Sequence, residues 1–67
     1  MMHTTERIWE NKKYIIEIVD KNTNNEFYNI YKNENGLALG DTITSFVYLS
    51  SAIKFCKEEN ESEVNNG

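Results

Sequence analysis

A single cysteine, Cys56, and a single histidine, His3, in a chain of 67 residues limit the ways this polypeptide can be held together. A domain of that size buries only about 60% of the surface its unfolded chain exposes, and one small core rarely supplies more than about 3–5 kcal/mol. Small folds make up the difference with disulfides, a metal or association with another chain. One cysteine excludes an internal disulfide, and one cysteine with one histidine is too few ligands for a structural zinc site. Association remains, so a single self-associating domain is expected, a homodimer in its simplest form, with no cofactor and no metal.

Charge divides the chain in two. Met1 to Lys57 holds seven acids and seven bases, whereas Glu58, Glu59, Glu61 and Glu63 close the sequence with no base opposite them. The net charge of -4 therefore belongs to the last ten residues. Residues 1–57 are expected to form the domain, with residues 1–10 a partly ordered edge segment and 58–67 a disordered acidic tail. No apolar run reaches the roughly 18 residues of a membrane span, and Met1 to Glu6 lacks the basic-then-apolar layout of a signal peptide. These features point to a cytoplasmic protein, where a free thiol is ordinary.

Tyr14-Ile15-Ile16-Glu17-Ile18-Val19 concentrates β-branched and aromatic residues and reads as a strand. Asp20-Lys21-Asn22-Thr23-Asn24-Asn25 follows, rich in residues that tolerate left-handed backbone, and Glu26 to Lys32 returns as a second strand. Asn33-Glu34-Asn35-Gly36 predicts another turn, since Asn-Gly supplies the positive φ that tight hairpins need. A third strand is expected within Ile43 to Val47. The rival reading starts a helix at Asp41 and carries it through Phe46 and Val47; the β-branched content opposes it. Leu49, Ala52, Ile53 and Cys56 then recur at helical spacing, with Ser50 as the expected N-cap. The predicted fold is α+β: a three-stranded antiparallel β-meander with one C-terminal helix packed on one face.

Because side chains alternate along a strand, Tyr14, Ile16 and Ile18 face one way and Ile15 and Val19 the other. Phe27 and Tyr31 likewise oppose Tyr28 and Ile30. One helix covers one face, which leaves an aromatic and aliphatic patch on the other. Two uses are open for it: a partner surface, or a floor on which Trp9 and the N-terminal segment fold to complete the core. The partner-binding residues expected on the first reading are Trp9, Ile15, Phe27, Tyr28 and Tyr31, since Tyr and Trp dominate interaction hot spots.

Groups for catalysis are sparse. His3 lies near the terminus, and Cys56 sits on the apolar stripe of the helix, where a free cysteine acts as a small hydrophobe. Gly36 and Gly40 lack the Gly-Lys-Ser/Thr ending of a phosphate loop. Asp20, Glu26 and Glu34 stand beside Lys21 and Lys32 as a solvated rim. No enzyme is expected.

Two resemblances bear on function. The run Phe46-Val47-Tyr48-Leu49-Ser50-Ser51-Ala52-Ile53 is similar to the strand-to-helix junction of small DNA-reading domains in plant transcription factors and phage integrases, which set one helix on a three-stranded sheet. Those sheets carry the Arg and Lys that phosphate neutralisation requires. Here Lys12, Lys13, Lys21 and Lys32 are balanced by Glu10, Glu17, Asp20 and Glu26, and no basic stripe results. The segments Phe27-Tyr28-Asn29-Ile30-Tyr31-Lys32 and Gly36-Leu37-Ala38-Leu39-Gly40-Asp41 resemble the dimeric uracil-DNA glycosylase inhibitors of small Bacillus phages. In that family a tyrosine-rich hairpin leads into Gly-Leu-x-Leu-x-Asp and a helix; the family's Phe-Glu pattern after the Asp is missing here. The resemblance implies a protein inhibitor.

The function expected from these readings is a small non-enzymatic protein-binding module, of the kind a phage or mobile element encodes against a host enzyme or defence protein. Its expected partner is a host or cellular protein met through an aromatic sheet face. The alternative is a small DNA-binding or DNA-mimicking regulator.

Overall fold

A computed structural model of the chain describes residues 4–66, with side chains through residue 58. Five elements follow in order: β1 (Thr5–Glu10), β2 (Tyr14–Val19), β3 (Phe27–Glu34), β4 (Leu37–Phe46) and α1 (Leu49–Asn66). The strands make one antiparallel sheet in the order β1-β2-β3-β4. The α+β class, the antiparallel meander and the C-terminal helix agree with expectation. The sheet has four strands rather than three.

The additional strand is β1, which lies within the N-terminal edge segment, residues 1–10. Glu6, Arg7 and Glu10 hide its apolar alternation, and an edge strand tolerates such charges because its outer side faces water. Its pairing with β2 slips between Arg7 and Trp9. Ile8 is the extra residue, and Ile8 and Trp9 both pack against the core. A bulge of this kind sets two successive residues against one on the partner strand.

A tight corner joins β1 to β2. Asn11 Oδ1 accepts from the backbone N–H of Lys13 at 2.9 Å and of Tyr14 at 2.7 Å, while the Asn33 side-chain amide donates to the Asn11 carbonyl at 2.7 Å. The turn after β2 uses left-handed backbone at Asp20 and Asn22, with φ of 54° and 68°. Asn35 and Gly36, with φ of 55° and 90°, close the β3–β4 hairpin. This is the pair of positive φ values that an Asn-Gly hairpin turn requires.

The core lies between α1 and one face of the sheet. Ile16, Ile18, Tyr28, Ile30, Ala52 and Cys56 are buried together there. Tyr14 and Phe46 each hold their ring centroid 5.8 Å from that of Phe55. β4 continues through Phe46, so the segment from Asp41 does not form a helix. Only Val47 and Tyr48 separate strand from helix, and Ala52 N–H already donates to the Tyr48 carbonyl at 3.2 Å. Ser50 therefore falls inside the first turn, and the cap position expected for it belongs to Tyr48. The expected acidic tail lies, from residue 59 on, outside the described side chains, as does His3.

Candidate functional site

β4 is the strand that departs most from regular pairing. Ile30 stands opposite Thr44 and Lys32 opposite Leu39. Between those pairs Tyr31 alone faces Gly40, Asp41, Thr42 and Ile43, and Gly40 takes a φ of 79° to begin the excursion. Surplus residues on one strand bend the ladder.

The direction of the bend is fixed by Arg7. Its Nη1 donates to the Gly36 carbonyl at 2.8 Å, although Arg7 lies level with Glu17 and Asn29 across the sheet. In a flat sheet, with about 3.3 Å per residue and about 4.8 Å per strand, Gly36 would stand about 25 Å away. An arginine side chain cannot span that distance. The hairpin tip must fold back, and because Arg7 pairs with Glu17 it folds over the face opposite α1.

That curl explains the burial of Ile15. It points away from the helix-side core, yet it is fully buried. It pairs across the sheet with Tyr31 at the bend, and Val19 pairs with Phe27 farther along the same face. Ala38, level with Asn33, is half-buried on the inner side of the tip, whereas its neighbours Leu37 and Leu39 are exposed.

The five partner-binding residues expected from the sequence therefore separate. Ile15, Phe27 and Tyr31 share the face opposite α1, with Ile15 buried and the two rings half-buried. Tyr28 is buried among the helix-side residues, and Trp9 packs half-buried against that same core. Burial pushes the Tyr28 hydroxyl above its usual range, with the Glu26 carboxylate adding to the shift.

Exposed apolar surface collects elsewhere. Among the described residues, the large hydrophobic side chains most open to water are Leu37, Leu39, Ile43, Val47 and Tyr48, between 47% and 70% exposed, and all belong to β4 or to the link that follows it. β4 is an outer strand of the sheet, so among the described residues one side of its backbone has no ladder partner. From Thr42 to Ile53 the sequence has no charged residue. Edge strands are normally protected by lysine, proline, an inward charge or a bulge. In β4 the bulge and Asp41 lie at Gly40 to Ile43, which leaves Thr44 to Phe46 as regular strand with none of these devices. The sequence signal for this surface was that uncharged stretch. Alternation alone did not show which of its residues the helix leaves open.

Other features offer less chemistry. A cavity of about 380 Å3 at the end of the sheet is lined by Lys12, Lys13, Tyr14, Lys32, Asn33, Glu34 and Ile43. Lys32 Nζ is 2.8 Å from Glu34 Oε1, which raises the lysine pKa and neutralises it locally. Among the described residues no group of His, Cys, Asp and Glu is arranged to hold a metal ion, and no helix is long and apolar enough to cross a membrane. Burial pushes the Cys56 thiol up to about 11, so it is protonated at neutral pH and poorly nucleophilic. No protein-family model, curated protein or solved structure matches the chain.

Proposed function

We propose that this chain is a small non-enzymatic protein-binding module whose contact surface is the outer edge of β4. The observation that carries the reading is that, among the described residues, the most exposed large apolar side chains gather on one edge strand and its link to α1. An edge of this kind accepts an extended polypeptide as an added strand, with backbone hydrogen bonds giving affinity and alternate side chains giving selectivity. Ile43, Val47 and Tyr48 supply those side chains. Action against a host or cellular protein, as mobile-element inhibitors work, is the form of this reading that the chain's small size suits.

The test is capture on immobilised chain, with wild type and Ile43→Lys compared side by side after circular dichroism has established that both fold. The reading expects wild type to retain at least one polypeptide, another protein or a free copy of itself, and the charged variant to lose it. Retention of the same polypeptides by both, or of none by either, removes β4 from the function.

A further inference from the structure

We infer that the occupant of the β4 edge is a second copy of this chain, paired antiparallel about a two-fold axis at Ser45. The inference rests on the strand-addition reading and adds the identity and register of the partner.

A symmetric antiparallel pair centred on Ser45 sets Thr44 against Phe46 of the second copy within the existing strand, and, with β4 lengthened on pairing by the two link residues that follow it, Ile43 against Val47 and Thr42 against Tyr48. Ile43 and Val47 are 47% and 68% exposed in the single chain. The pairing therefore covers each with the other, on both sides of the axis, and a β-branched pair is among the favourable cross-strand contacts. Tyr48, 70% exposed, gains a partner by the same operation. Shifting the register by one residue turns every side chain to the wrong face of the neighbouring sheet, so such a slip is disfavoured.

Charge permits this occupant. Two chains of net charge -4 repel in general, but the paired stretch Thr42 to Tyr48 is uncharged, and Asp41 of one copy stands eight positions along the ladder from its equivalent. At about 3.3 Å per residue the two carboxylates are roughly 26 Å apart, beyond the screening length of about 8 Å at physiological salt. The pairing joins two four-stranded sheets into one of eight strands, each curled hairpin tip lying outside the seam. Covering Ile43, Val47, Tyr48 and the adjoining backbone of both copies buries on the order of 1,000 Å2, about where specific interfaces begin. A reversible dimer that forms at micromolar concentration is the expected result, of the isologous kind in which the same patch serves both partners.

The experiment is light scattering of the full chain across a concentration series, with Val47→Lys and Ile43→Lys as variants. Val47 lies outside the strand and largely in water, so its substitution leaves the fold intact even where Ile43→Lys fails. Mass should double from 7.9 kDa as concentration rises, and both variants should hold it at the lower value. Oxidation of Ser45→Cys should cross-link two copies, because directly opposed residues bring their Cα atoms within disulfide range; native Cys56 is buried and does not compete. A chain that is monomeric throughout overturns the inference, as does a dimer indifferent to both lysines or one that Ser45→Cys does not lock. If a monomeric chain still captures another polypeptide and Ile43→Lys abolishes that capture, the second copy is excluded while the strand-addition reading stands.

Discussion

Arg7 and Gly36, 29 residues apart in sequence, meet through a 2.8 Å hydrogen bond from the guanidinium Nη1 to the backbone carbonyl. The contact joins an outer strand to the turn of the β3–β4 hairpin and roofs the face opposite α1. It is exposed to water, so its net contribution is modest, about 1 kcal/mol. Arg7→Ala is expected to lower stability by that amount in chemical denaturation and to speed amide exchange around the turn, residues 34–38. Unchanged exchange there would mean that the bend at Tyr31 holds the tip without Arg7.

β1 contributes more than an edge. Ile8 and Trp9 pack against the helix-side core from the two positions of the bulge. Removing residues 1–11 should therefore abolish cooperative unfolding, because the domain loses a strand and two core neighbours at once. Trp9→Ala should cost about 2–3 kcal/mol, below the usual range for a fully buried tryptophan because Trp9 is only half-buried. Circular dichroism during heating distinguishes the outcomes: a truncated chain that still melts sharply would show that β2–β4 and α1 suffice.

The class and most elements were legible because their signals are local. Tyr14 to Val19 is dense in β-branched residues, Asn35-Gly36 names its turn, and Leu49, Ala52, Ile53 and Cys56 mark one face of a helix. β1 was obscured because Glu6, Arg7 and Glu10 interrupt its pattern and because its apolar pair is consecutive across a bulge. The curl of the hairpin was illegible because it depends on a long-range contact and on the surplus residues Gly40 to Ile43. That curl separates the sequence-derived patch, covering Ile15 while Tyr28 lies on the other side of the sheet. Alternation predicted the two faces of β2 and β3 correctly, but the covering of each face is a tertiary property.

Gly40 begins the excursion of β4 with a φ of 79°, and a Cβ built there meets nothing within 4 Å. The cost of Gly40→Ala is therefore conformational rather than steric, about 1–2 kcal/mol for an L-residue in left-handed backbone. Thermal unfolding should shift down by about 4–8 °C for each kcal/mol in a domain of this size. Gly40→Asn should cost less, since Asn visits this region more readily. Equal melting temperatures for wild type and Gly40→Ala would show that the bend does not need the positive φ.

Cys56 gives the fold a dependence on alkaline pH. Burial raises its thiol from 9.0 to about 11, so over that interval the folded chain keeps a proton that the unfolded chain has released. Stability must then fall as pH rises. The contribution is complete below pH 9 and lost progressively toward 11, with a ceiling of about 3 kcal/mol at about 1.4 kcal/mol per unit. Tyr28, also raised by burial, adds to the loss in the same direction at higher pH. Cys56→Ala should flatten the decline between pH 9 and 11, at a cost of about 1 kcal/mol near neutrality from the small void it leaves. Denaturation midpoints measured at neutral pH and at intervals up to pH 11 test this, and alkylation gives an independent readout. Iodoacetamide should label wild type slowly when folded and rapidly in denaturant. If Cys56→Ala declines as steeply as wild type above pH 9, other groups drive alkaline unfolding and the thiol is not responsible.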